Sequence, residues 1–175
     1  AFVASSLAAL RDDLAQRGMP LVVRTGDAVE VLDRLCRTYG ISEIVSHEET
    51  GNLWTYARDR RVGAWARAQG IRWTEVPQCG VVRRLARRDG WAARRDAFMA
   101  ADPVQPQGLS PVPGVEPGAI PTARSLGLAD DPCPHMQAGG RARALACLDS
   151  FLTHRGAPYR SAMSSPLTAE RACSR

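Results

Sequence analysis

The stretch SHEETGN at residues 46–52 sets a histidine and two carboxylates, His47, Glu48 and Glu49, just before an aromatic and arginine-rich segment, WTYARDRR at 54–61. Residues of these types act as general acids and bases, or bind metals, when they converge on one point. Three adjacent residues cannot converge, and no second His or Cys stands at ligand spacing. The favoured reading is therefore surface carboxylates near a helix start, where the helix dipole stabilises them. The five cysteines, Cys36, Cys79, Cys133, Cys147 and Cys173, are scattered and make neither a CxxC nor a metal-type pairing with His47, His135 or His154. They read as reduced thiols of a cytoplasmic protein, with Cys36 packed on the apolar side of a helix. Neither a nucleophile elbow nor a glycine-rich phosphate motif is present, and no metal site is expected.

Charge and aromatic content leave a second kind of chemistry open. All 23 basic residues are arginine, and the formal net charge is +5. Such a surface suits polyanions, and arginine is the better phosphate fork wherever it lines a groove. The absence of lysine reads equally well as codon bias. The segment 81–99 carries six arginines and is read first as a solvated helix or arm, with a phosphate-contacting patch as the alternative. Among the aromatic residues, Trp65 and Trp73 read as core, whereas Trp54, at a helix start, is the one placed to touch a ligand.

The elements that would position these residues alternate regularly. A first helix reaches Gly18; LVVR (21–24) reads as a buried strand; a helix follows Asp27, with Glu30 as the partner in a capping box, and ends at Gly40. EIVS (43–46), a helix over 54–70 and IRWTEV (71–76) complete the series. Connections this short predict an α/β domain with a doubly wound parallel sheet of Rossmann-like or flavodoxin-like type, lacking its first strand. Ligands of such sheets sit beyond the carboxyl ends of the strands, where 24–28, 46–52 and 77–82 would meet. The α/β domain with its basic extension is assigned to 1–99 and a proline-rich linker to 100–137. The start of a helical domain, at 138–175, contains a helix over 139–156 and another led in by Ser165-Pro166. Both ends look truncated, and no apolar run approaches the ~20 residues of a membrane span.

Three stretches in order, FVASSLAALRDDLAQRGMPLVVRTGDAVEVLDRL, SHEETGNLWTYARDRRVGAWARAQGI and PYRSAMSSPLTAERACSR, resemble the photolyase and cryptochrome family. The resemblance implies an antenna-bearing α/β domain, a long linker, and a helical domain that holds FAD. It implies light-driven electron transfer from reduced FAD, which splits cyclobutane pyrimidine dimers in photolyases or triggers signalling in cryptochromes. Tyr159 matches the tyrosine near the flavin phosphates, and Cys173 and Ser174 match the Thr-Ser pair that approaches the diphosphate. The cysteine removes one hydroxyl donor from that pair. For the antenna, the resemblance is compatible with a folate, a flavin, a deazaflavin or an empty pocket. The resemblance implies that the intact protein is a monomeric photolyase acting on ultraviolet-damaged DNA, and that this fragment holds no catalytic residue and is inactive by itself. The alternatives are a cryptochrome-like photoreceptor and a nucleotide-binding flavodoxin-like module.

Overall fold

The computed structural model describes residues 2–129 and 136–172, the last three of these for their backbone alone. Cys133, His135, Cys173 and Ser174 therefore lie outside the described residues. Contacts divide the chain into two compact units, one formed by Arg24–Val115 and the other by Ala1–Val23 with Glu116–Arg175.

The unit Arg24–Val115 is built on helix α2 (Ala28–Tyr39), strand β1 (Glu43–His47), helix α3 (Leu53–Gln69), strand β2 (Arg72–Val76) and helix α4 (Trp91–Met99). The Asp27 carboxylate caps α2, accepting from Val29 N–H at 3.0 Å and Glu30 N–H at 3.4 Å. Gly40 and Gly70 end α2 and α3 in the left-handed conformation, at φ 66° and 68°, that a Cβ disfavours. The capping box falls on α3, where Asn52 and Thr55 satisfy each other's amides.

β1 and β2 pair in parallel, with Ile44 opposite Trp73 and Ser46 opposite Glu75. The two-residue period of a strand puts Ile44, Ser46, Trp73 and Glu75 on a half-buried face and leaves Glu43, Val45 and His47 exposed. Gly63 of α3 makes close packing onto that face possible: a Cβ there would come within 2.8 Å of the Trp73 ring. Trp73 Nε1 in turn donates to Ser46 Oγ at 3.0 Å. Cys36, Val62 and Ala66 are the buried apolar side chains of this unit.

Two expectations change. LVVR is not a strand of the sheet, which among the described residues comprises β1 and β2. Val23 N–H instead donates to Pro117 C=O at 2.7 Å, so a backbone partner for this segment comes from the proline-rich stretch. With two strands and one covered face, the described residues form a parallel α/β unit with additional helices; the doubly wound sheet is not among them. The basic segment 81–99 is also not one helix. Cys79, Gly80, Arg84 and Gly90 all have positive φ, between 53° and 71°, which breaks helical continuity until α4 begins at Trp91.

The second unit contains α1 (Phe2–Ala15), α5 (Arg141–Ser150), α6 (Tyr159–Ala162) and α7 (Pro166–Ala172). After α5 the chain loosens into a π-type turn over Phe151–Arg155, closed by Gly156 N–H donating to Phe151 C=O at 2.7 Å. Ser165 stands at the cap of α7, its Oγ accepting from Thr168 N–H at 3.5 Å.

Candidate functional site

A cleft of about 610 Å³ opens where the carboxyl end of β1 meets the starts of α2 and α3. Its apolar side comes from Val31, Leu32, Ile44 and Val62, and its polar side includes His47, Arg58 and Arg61. Trp54, 75% exposed, stands at its edge. This is the placement that chain order and parallel pairing dictate for a ligand site in an α/β unit.

The helix starts that border the cleft are both capped by side chains. An uncapped N-terminus presents free amides to an anion. Here Asp27 already accepts two amides of α2, and Asn52 accepts Trp54 N–H and Thr55 N–H, both at 3.0 Å. Any group held in the cleft is thus gripped by side chains: an indole face, guanidinium groups and apolar walls. Arg61 Nη2 donates to Asp27 Oδ2 at 2.7 Å and fastens the start of α2 to α3. This bond, with the two amides, holds the Asp27 carboxyl below its ordinary range.

The Glu49 carboxylate of SHEETGN is engaged by protein groups. Glu49 Oε1 accepts from Gly51 N–H at 2.6 Å and Glu49 Oε2 from Arg58 Nη2 at 2.9 Å. The backbone bond, followed by the arginine, pulls the Glu49 carboxyl below its ordinary range. Glu48 N–H extends the strand pairing by donating to Val76 C=O at 2.9 Å. No cluster of metal-ligating side chains occurs among the described residues.

A second arrangement was not legible in the sequence. Arg83 Nε donates to Glu49 C=O at 2.8 Å, while its Nη2 lies 2.8 Å from Glu75 and 3.8 Å from Asp59. Arg58 Nε and Nη2 hold the same Asp59 carboxylate at 2.9 and 2.8 Å. The loop after β2 is thereby tied to the loop after β1. The alternation of acids and arginines hints at such pairing, but which arginine finds which acid depends on three-dimensional proximity.

Of the residues expected near FAD, Tyr159 falls in the other unit. Tyr159 opens α6, is 44% exposed, and meets the Phe151 ring edge-on at 5.7 Å. It is not among the residues lining the cleft of about 640 Å³ bounded by Phe2, Arg143, Leu148, Phe151 and Arg155. Cys173 and Ser174 are outside the described residues.

Residues 1–87 match the family model of DNA photolyase, and the chain belongs to the photolyase and cryptochrome family, whose members are flavoproteins, on the strength of this stretch. No curated protein matches the chain. No helix among the described residues is long and apolar enough to cross a membrane.

Proposed function

We propose that the chain is part of a DNA photolyase that repairs ultraviolet-induced pyrimidine dimers. The observation that carries this reading is the family match over residues 1–87. In this reading the doubly wound sheet, the 1–99, 100–137 and 138–175 domain plan, and a monomeric cytoplasmic state belong to the intact protein. Tyr159, Cys173 and Ser174 would hold FAD by its phosphates, and reduced FAD would supply the electron that opens the cyclobutane ring. The β1 cleft holds the antenna chromophore against Trp54; its size and aromatic edge support that assignment.

The test is dimer loss from irradiated DNA incubated with the flavin-loaded intact protein, in blue light and in darkness. Loss in light alone is expected. Equal dimer content in both arms removes the repair function and leaves a cryptochrome-like photoreceptor. For the antenna, a near-ultraviolet or blue absorbance band beyond that of FAD is expected, weakened in Trp54→Ala because ring stacking contributes about 1–3 kcal/mol. An unaltered band in that variant rejects the assignment.

A further inference from the structure

Helix α3 carries a second feature on another face. Tyr56, Arg60, Gly63 and Arg67 follow one another at helical spacing and line a cleft of about 620 Å³ floored by Trp73, with Arg83 and Arg84 on its far wall. The charged residues of this cleft are five arginines and two acids, Asp59 and Glu75. Both acids are occupied: Asp59 holds Arg58, and Glu75 holds Arg83. Arg61 faces Asp27. Arg84 donates to the neutral Tyr56 hydroxyl at 2.8 Å. Among the described residues, Arg60 and Arg67 have no acidic partner, and both are exposed. Three positive charges remain without an acid beside an aromatic floor.

The spacing of these charges selects the kind of anion. Arg60 and Arg67 are two helical turns apart, about 10 Å along the axis at ~1.5 Å per residue. A single phosphate calls for converging donors. A nucleic-acid strand carries one charge per ~3.4 Å of duplex axis, so about three successive phosphates span the same length. Guanidinium groups suit phosphate oxygens in fork geometry.

We infer that the Tyr56–Arg67 face of α3, with Arg84, is a contact surface for the phosphate backbone of DNA. It is separate from lesion recognition, needs neither light nor flavin, and contributes affinity without sequence preference. This inference does not rest on the repair reading, and undamaged DNA in darkness tests it.

The experiment measures binding of the full chain to a fluorescein-labelled undamaged 20-base-pair duplex by anisotropy, from 50 to 200 mM NaCl. Each arginine-phosphate contact adds ~0.9 to the slope of log K against log salt. Arg60→Gln/Arg67→Gln should flatten that slope by about 1.8, so that affinity falls about 12-fold less across this range than in the wild type. Arg60→Lys/Arg67→Lys should keep the wild-type slope, and Arg34→Gln, which removes an exposed charge from α2, should leave it unchanged. An unaltered slope in the double glutamine variant overturns the inference, as does an equal flattening by Arg34→Gln. Complete competition by millimolar inorganic phosphate at constant ionic strength does so too, since it would show a single-anion site.

Discussion

Replacing Gly63 by alanine sets two physical effects against each other. Glycine within a helix is disfavoured, and Gly→Ala at an ordinary helical position stabilises by about 1 kcal/mol. At this position the new Cβ would lie 2.8 Å from Trp73 Cζ3 and 3.3 Å from Cε3. Comfortable carbon contacts begin near ~3.5 Å, so the ring must retreat by roughly 0.7 Å. It is not free to do so, because Nε1 is bonded to Ser46 Oγ at 3.0 Å and β2 is paired along its length with β1. Overpacking of this kind costs about 1–3 kcal/mol. The net expectation is a loss of about 1 kcal/mol, a fall of ~2–4 °C in Tm for a chain of this size. Thermal unfolding followed by circular dichroism reads it. Ser46→Ala releases the indole, so the double variant should lose at least ~0.5 kcal/mol less than the two single losses combined. A rise in Tm for Gly63→Ala would show that the ring yields freely and that the tether carries no weight.

Two further perturbations probe the loops that frame the clefts. The folded Asp27 carboxyl titrates below its ordinary value of 3.8 because Arg61 and two amides favour its charged form. A depressed folded pKa gives stability that is present above that ordinary value and lost as pH falls through the folded one. The stability gap between wild type and Asp27→Asn should therefore be full at pH 5 to 7 and shrink below pH ~4, by denaturant titration at each pH; a gap that widens in acid contradicts the assignment. Arg83→Met removes the ion pair to Glu75 and the bond to Glu49 C=O from a side chain only 22% exposed. A loss of about 2 kcal/mol is expected, with faster amide exchange across 77–90, and unchanged exchange there would show that the loop is held by other contacts.

Much of the local structure was legible because it depends on neighbours in sequence. Asp27, Gly40 and Gly70 mark helix ends through short-range bonding and backbone conformation, and the structure places them there. The short apolar and β-branched runs at 43–46 and 71–76 likewise mark strands, which the structure pairs over 43–47 and 72–76, whereas the covering of one face rather than two was not legible locally. LVVR has the same composition, yet no local property says which backbone will meet its donors; Pro117, far along the chain, supplies one. The break in 81–99 was hidden for a related reason. Nothing local marks Cys79 and Arg84 for positive φ, and the residue that holds this loop, Arg83, reaches Glu49 and Glu75 across the sheet end.

The same division applies to the sites. Chain order and strand polarity alone put SHEETGN and Trp54 at the carboxyl edge of a parallel strand, because a β-α-β connection leaves no other place for that loop. Charge count alone foretold an excess of arginine, but not where it is unpaired. Tertiary structure decided that Glu49 holds Arg58 and Gly51, and that Asp59 and Glu75 are spent on Arg58 and Arg83 while Arg60 and Arg67 face a cleft. Capping and strand pairing act over a few residues and are written in the sequence. Ion pairing falls off with distance in space and is indifferent to distance along the chain, so only the folded arrangement selects the partners.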